Sequence, residues 1–119
     1  MAKGFEGLDV WQKSCLIAVD MYSAFRNCRD FGLKDQVCRA AVSIPSNIAE
    51  GYERNSPRDF IRFLNIAKGS CGELRTQIYI AKELEYLDAD CCQDLLQTSK
   101  SISAMLSGLI RTIQKKTQG

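Results

Sequence analysis

The side chains that could carry catalytic chemistry are few in kind, because the chain has 6 cysteines and 14 acidic residues but no histidine. Cys71 lies beside Gly72, but it also falls on the apolar face of a predicted helix, where burial would keep its thiol protonated and inert. The carboxylates of Glu50, Asp59 and Glu73 show no spacing that pairs a general acid with a general base. A glycine-rich phosphate loop is also absent from the sequence. The sequence therefore predicts a protein that is not an enzyme and uses no cofactor.

The cysteines do not form a metal-binding pattern either. There is no Cys-x-x-Cys, and the adjacent Cys91 and Cys92 point to different faces of a predicted helix. We expect free thiols that pack as small apolar side chains, with no metal bound. The first residues, Met1 to Gly7, contain no apolar signal core, and no apolar run reaches the ~18 residues that span a membrane. These features predict a cytoplasmic protein with reduced thiols and no membrane partner.

A second set of polar side chains could form either a ligand site or a packing network. Asn47 and Glu50 lie one helical turn apart, as do Glu73 and Gln77, and Arg39 and Arg75 could supply countercharges. If the second and third helices pack antiparallel, these side chains can approach one another. We favour a hydrogen-bonded network that fixes helix register over a ligand site, because buried polar groups are normally paired within the fold. Exposure of several members is a further alternative.

Apolar residues at three- and four-residue steps predict four helices, at about residues 8–28, 33–54, 57–84 and 89–113. Pro45 interrupts the second helix, but the apolar residues before and after it stay in phase, which indicates one kinked helix and not two. Ser56, Pro57 and Asp59 are typical of the start of a helix. The links are short, so the sequence predicts a single all-α domain over residues 1–119, an antiparallel up-down-up-down four-helix bundle with a frayed basic tail at 114–119.

Charge is balanced over the whole chain, with a net value of +2, but it is unevenly distributed along the predicted bundle. One end collects basic residues, and those we consider for nucleic-acid binding are Arg54, Arg58, Arg62, Arg111, Lys115 and Lys116. A platform for RNA or DNA phosphates is one interpretation, and a solvated polar surface is an equal alternative. The basic residues are not interleaved with aromatic ones, so we expect contacts to phosphate and not to stacked bases.

Several segments resemble one known family over nearly the whole chain. They are Val10-Trp11-Gln12, the run from Arg39 to Gly51 that contains Ser-Ile-Pro-Ser-Asn-Ile-Ala-Glu-Gly, and Phe63-Leu64, Ile66-Ala67, Gly69-Ser70, Glu73-Leu74 and Thr76-Gln77. They are similar to the four-helix-bundle proteins encoded in intervening sequences of bacterial 23S ribosomal RNA genes. Cysteines at 71 and 91, and Gly72, depart from the aliphatic residues usual in that family.

The resemblance implies a homopentamer, because family members of known structure form rings. It also implies nucleic-acid binding, because a relative, the accessory protein of diversity-generating retroelements, binds nucleic acid. Extra apolar residues on the first and third helices agree with self-association. We therefore expect a non-enzymatic pentameric scaffold that binds RNA or DNA. The alternative is an accessory subunit that holds a partner enzyme without touching nucleic acid.

Overall fold

Four α-helices make up most of the computed structural model, which describes residues 3–118. They are α1 (Asp9–Ala24), α2 (Phe31–Glu53), α3 (Pro57–Glu83) and α4 (Ala89–Gln118), preceded by a short 3₁₀ helix at Gly4–Gly7. Each helix contacts its two neighbours around the bundle, and the rod-like molecule measures 49 × 25 × 20 Å. The predicted four-helix bundle is therefore confirmed. Met1, Ala2 and Gly119, which the single-domain prediction includes, lie outside the described residues.

Side-chain caps begin three of the helices. The Ser56 hydroxyl accepts a hydrogen bond from the Asp59 amide at 3.3 Å, as the sequence predicts for the start of α3. Asp88 accepts from the Cys91 amide at 2.7 Å at the start of α4. Asp30 caps α2 in the same way, accepting from the amide of Leu33 at 3.1 Å. These caps pair amides that would otherwise have no helical partner, and they fix where each link ends.

Three predicted boundaries differ from those observed. The first helix ends at Ala24 and not near residue 28, because the amides of Arg26 and Cys28 form tighter i−3 turn bonds with Ser23 and Phe25. The second helix begins earlier than predicted, at Phe31, since Asp30 caps it. The predicted frayed tail is wrong for residues 114–118.

That final segment continues α4 to Gln118. Lys115 and Lys116 lie in the last helical turn, where positive charge interacts favourably with the negative end of the helix dipole. The Thr117 hydroxyl also donates to the Gln114 carbonyl at 3.0 Å. The basic residues at 115 and 116 are therefore held on a helix.

The second helix runs without interruption through Pro45, so the prediction of one helix instead of two is confirmed. Pro45 is buried, and the bend at this position stays a prediction. Nearby, the Ser43 hydroxyl donates to that of Ser70 on α3, which donates in turn to the Ile66 carbonyl at 3.3 Å. Short polar side chains thus join α2 to α3 beside the proline while leaving the helices close together.

Gly51 marks a close approach between α2 and α3. A Cβ atom at this position would lie 2.6 Å from the Cβ of Phe63 and 3.2 Å from the ring of Phe60. Real Cβ atoms do not approach so closely, so only glycine fits without displacing α3. The close contact holds the end of α2 against the first turns of α3, where several of the basic residues are located.

One continuous apolar core fills the space between the four helices. Its largest fully buried side chains include Phe25, Ile44, Ile48, Leu64 and Leu74. No helix within residues 3–118 combines the length and the hydropathy that crossing a membrane requires.

Candidate nucleic-acid interface

The link between α2 and α3 and the last turns of α4 meet at one end of the bundle. A cleft of about 350 Å³ there is lined by Tyr52 and Phe60 from the α2–α3 side and by Ile113 and Lys116 from α4. A second cleft, of about 430 Å³, is lined by Arg58 and Ile61 together with residues 56, 57 and 117. We call the six basic residues of this region the end cluster: Arg54, Arg58, Arg62, Arg111, Lys115 and Lys116. The antiparallel packing of α3 and α4 therefore brings the predicted residues to one end.

Two members of the end cluster are already engaged within the chain. The Arg54 and Arg62 guanidinium carbons lie 4.9 and 4.6 Å from the ring centroid of Phe63, within cation–π distance. Arg54 is also 3.9 Å from Glu50, and Arg62 is 3.6 Å from Asp59. The two guanidinium groups cover an aromatic ring, and their charge is partly neutralised by neighbouring carboxylates.

The other four members are exposed, and none forms an ion pair within residues 3–118. They are Arg58, Arg111, Lys115 and Lys116. Because their charge is not neutralised locally, they are better placed than Arg54 and Arg62 to contact an anionic partner.

Aromatic side chains lie closer to the end cluster than the sequence suggested. Trp11, Phe5, Tyr52 and Phe60 form a chain of edge-to-face contacts, with ring centroids 5.3, 6.4 and 5.7 Å apart. Tyr52 is 38% exposed and shares its cleft with Lys116. The sequence predicts no exposed aromatic residue among the basic ones, and Tyr52 is an exception. Its cleft with Lys116 forms between α2 and α4, and sequence spacing does not relate two different helices.

A second basic region lies halfway along the bundle, between α3 and α4. This α3–α4 groove has a volume of about 350 Å³ and is lined by Lys68, Arg75, Lys100, Ser103, Ala104 and Ser107. Three of its six lining residues are cations and none is acidic. Of these residues, the sequence points only to Arg75, as a possible countercharge in the polar network and not as part of a groove. The signal was the helical phase, since Lys68 and Arg75 are seven residues apart on one helix and Lys100 and Ser107 are seven apart on the other.

Hydrogen bonds hold Arg75 at the wall of the groove. Its Nη1 donates to the Ser99 hydroxyl at 3.3 Å, and that hydroxyl donates to the Cys71 carbonyl, also at 3.3 Å. Ser99 is fully buried, so this relay is anchored in the core. The guanidinium is therefore positioned by the interior of the protein and does not swing freely at its surface.

The five residues predicted to form a polar network are Arg39, Asn47, Glu50, Glu73 and Gln77. Within residues 3–118, no hydrogen bond or ion pair joins any two of them. Arg39 pairs with Asp35 at 3.0 Å on the exposed surface, and Asn47 donates to the Ser43 carbonyl at 2.7 Å. These side chains therefore make separate local contacts and do not form one network within the described chain.

Gln77 is the one buried member of that set, at 5% exposure, whereas Glu73 is exposed. The Gln77 side-chain oxygen has no hydrogen-bond partner in the described chain. The polar link that does join α2 to α3 uses Ser43 and Ser70, which the network prediction did not include.

The thiols are placed for packing. Cys38, Cys71 and Cys92 are buried, and Cys15, Cys28 and Cys91 are partly buried. Burial raises the pKa of the Cys71 thiol from 9.0 to about 11, although the charges of Arg75 and Lys68 act in the opposite direction. Such a thiol is a poor nucleophile at neutral pH. Among the residues the structure describes, no three His, Cys, Asp or Glu side chains come together as a potential metal site.

Large apolar side chains remain exposed on two helices. Leu16 and Val19 of α1 are 65% and 62% exposed, and Ile66 and Ile80 of α3 are 43% and 45% exposed. Exposed apolar residues that recur along one helix often mark protein–protein contact.

Comparison with known proteins finds a family model and a solved structure that match this chain. A family model described as 23S rRNA-intervening sequence protein matches residues 6–108. A crystal structure of a protein of unknown function from Bacteroides thetaiotaomicron, assigned to the S23 ribosomal protein family, is 28% identical and superimposes with a TM-score of 0.80. The superposition covers 85% of this chain and 97% of that one. No curated protein matches the chain.

Proposed function

The chain belongs to the 23S rRNA-intervening sequence protein family, and on this premise we propose that it is a non-enzymatic, homopentameric scaffold that binds RNA or DNA through basic side chains. The observation that carries the proposal is a group of exposed cations at one end of the bundle that form no ion pair with any residue of 3–118: Arg58, Arg111, Lys115 and Lys116. Exposed cations gain most from a polyanion, because neutralising phosphates releases the counterions condensed on the nucleic acid.

Self-association forms part of the proposal. Leu16 and Val19 on α1, and Ile66 and Ile80 on α3, give each subunit apolar surface on two helices. A ring of subunits would cover such surfaces and repeat each local charge around an axis, which strengthens the field felt by a polyanion. Sedimentation equilibrium at micromolar concentration should give the mass of five chains, and the mass of one chain would contradict this part.

The cytoplasm is the proposed compartment. The support is the use of cysteine, since Cys38, Cys71 and Cys92 are buried free thiols and the last two pack within the apolar core. Thiols of this kind are typical of proteins kept under reducing conditions.

A gel-shift titration with structured RNA and duplex DNA, at two salt concentrations, tests nucleic-acid binding. The test variant replaces Arg58, Lys115 and Lys116 with glutamate, which changes the charge of each subunit by −6. The matched control makes the same replacements at Arg26, Arg29 and Lys82, which are exposed and lie at the opposite end of the bundle. We expect the first variant to bind more weakly than the control, because binding depends on the position of the charges and not only on their sum.

Two results would contradict the proposal. Absence of binding by the unmutated chain at low salt would remove nucleic acid as the partner, and it would favour an accessory subunit that holds a partner enzyme. Equal weakening by the two variants would show that only net charge matters and that the end of the bundle has no specific part in binding.

A further inference from the structure

The α3–α4 groove gathers three cations on the walls of one depression. Arg39, Arg54 and Arg62 form the ion pairs found within residues 3–118, and none of the groove cations Lys68, Arg75 and Lys100 does. The groove is also lined by no carboxylate. Three positive charges on the walls of one depression repel each other and create a positive potential there, which an anion would relieve.

The groove also offers hydrogen-bond donors and open space. In the described chain, the hydroxyls of Ser103 and Ser107 make no hydrogen bond, so both can donate to a ligand. Ala104 on the lining keeps the depression open, because a longer side chain there would occupy it. Beside Arg75, a Cβ added at Gly72 would meet only Nη2 of that arginine, at 4.0 Å.

The donor set suits phosphate. Arginine presents a rigid fork that matches two oxygens of a phosphate, lysine supplies a compact charge, and serine hydroxyls complete the contact. Ser99 holds Arg75 in place, so this arginine loses little side-chain freedom when it binds. The volume of about 350 Å³ is larger than a single free phosphate needs and leaves room for an attached sugar.

The groove is continuous with the end cluster along α4. Lys100, Ala104, Ser107, Arg111 and Lys115 recur at four- and three-residue steps, and so share one face of the helix. The stripe is roughly 22 Å long at 1.5 Å per residue. A stripe of that length, with small residues between the charges, fits a chain of linked phosphates better than a single anion.

We propose that the α3–α4 groove binds phosphate groups of a nucleic-acid backbone, with Lys68, Arg75 and Lys100 as the charged contacts and Ser103 and Ser107 as neutral donors. Binding is independent of base sequence, because no aromatic side chain or amide side chain lines the groove to read a base. The source of the phosphate rests on the proposed function, whereas the anion site itself rests on the groove alone.

Nuclear magnetic resonance on the full chain tests the proposal, with ¹⁵N-labelled protein titrated by two probes. The first is a single-stranded oligonucleotide of mixed sequence, and the second is inorganic pyrophosphate. The amide signals of Ser103, Ala104 and Ser107 report on the groove. The test variant is Lys68→Gln/Arg75→Gln/Lys100→Gln. The charge-conserving variant Lys68→Arg/Lys100→Arg keeps Arg75 and controls for loss of folding, and it should bind within a few-fold of the unmutated chain.

We expect the oligonucleotide to shift the groove amides in the unmutated chain, and affinity to fall by about tenfold or more in the glutamine variant, since three phosphate contacts are lost. Oligonucleotide binding without shifts at the groove, or with equal affinity in the glutamine variant, would overturn the inference and leave the proposed function intact. Shifts with pyrophosphate but no oligonucleotide binding would support the anion site and overturn its nucleic-acid source. If neither probe shifts the groove amides, both the anion site and its nucleic-acid source are overturned.

Discussion

The end cluster and the α3–α4 groove are both basic, but they differ in what their cations already contact. In the end cluster, Arg54 and Arg62 lie over the Phe63 ring and beside Glu50 and Asp59. In the groove, Lys68 and Arg75 of α3 and Lys100 of α4 line one depression, with no carboxylate on the lining. Counting basic residues therefore overrates part of the first region and misses the second.

The difference has an energetic meaning. An arginine that covers an aromatic ring stabilises the fold, and it must leave or share that ring before it can contact a phosphate. A lysine without a carboxylate neighbour loses only its hydration and side-chain freedom when it binds an anion. Arg54 and Arg62 should thus matter more for the stability of the fold than for binding. The groove cations should matter more for binding than for stability.

The largest effect is expected from removing the ring under the two arginines. Phe63 is 6% exposed and packs against Gly51, so Phe63→Ala should lower the free energy of unfolding by about 3–5 kcal/mol. Phe63→Leu keeps most of the apolar volume and should cost less than about 1.5 kcal/mol. Urea denaturation measures both. A loss below about 1 kcal/mol for the alanine variant would show that this end of the bundle does not depend on the ring.

Gly51, beside Phe63, and Gly72, beside Arg75, should respond in opposite ways when each is replaced by alanine. Gly51→Ala places a Cβ 2.6 Å from Phe63, and overpacking of this kind costs about 1–3 kcal/mol. Gly72→Ala meets only the Arg75 side chain at 4.0 Å, so the higher helix propensity of alanine should stabilise the protein by up to about 1 kcal/mol. Thermal unfolding of the two variants provides the comparison. Equal melting temperatures would contradict the difference in packing.

Neutralising Arg54 and Arg62, the two end-cluster arginines that lie over Phe63, should destabilise the fold modestly. Arg54→Gln/Arg62→Gln removes two cation–π contacts, each worth about 0.5–1 kcal/mol at exposed sites. The matched groove variant, Lys68→Gln/Lys100→Gln, should change stability by no more than about 0.5 kcal/mol, because these cations make no ion pair in the described chain. If the groove variant loses more stability than the arginine variant, the two regions have been assigned the wrong roles.

The smallest effect concerns Cys71, because the charges of two groove residues, Lys68 and Arg75, act on the pKa of its thiol. Lys68 and Arg75 lower its pKa against the larger effect of burial, so Lys68→Gln/Arg75→Gln should raise that pKa further above about 11. Alkylation of Cys71 at pH 8.5 should then be slower than in the unmutated chain. Cys15 is the internal control, because burial alone raises its pKa. Unchanged alkylation of Cys71, or an equal change at Cys15, would show that the groove charges do not reach the thiol.

The same pKa shift predicts how stability depends on pH. The folded chain holds the Cys71 proton more tightly than the unfolded chain, and this difference adds to the free energy of unfolding. The added stability is complete below pH about 9 and is lost as pH rises toward 11. The unfolding free energy of Cys71→Ala should fall less steeply over that interval. Parallel curves for the two proteins would contradict the shift.

The fold was predictable because its signals are local. Three- and four-residue apolar spacing gave the helices, and Ser56 with Pro57 gave the start of α3. The end of α1 was not predictable in this way, because it depends on i−3 turn bonds that apolar periodicity does not encode. The path of residues 114–118 was also missed, because a polar helical end and a frayed tail have the same composition.

The site was harder to predict because it forms between helices. Antiparallel order alone brought Arg58, Lys115 and Lys116 to one end. The pairing of Arg54 and Arg62 with Phe63 depends on side-chain direction, and the groove depends on the rotation of α3 against α4. Sequence spacing placed Lys68 and Arg75 on one face, but it did not show that Lys100 lies across from them.

The salt dependence of oligonucleotide binding tests most directly whether cations without ion pairs make the phosphate contacts. The measurement is the slope of log Kd against log salt concentration for one single-stranded oligonucleotide, by fluorescence anisotropy. Each phosphate contact contributes about 0.7 to that slope on a single strand, so Lys68→Gln/Arg75→Gln/Lys100→Gln should reduce it by about 2. Arg54→Gln/Arg62→Gln should reduce it by less than about 1. Equal slopes for the unmutated chain and the groove variant, or a larger reduction in the arginine variant, would contradict the account.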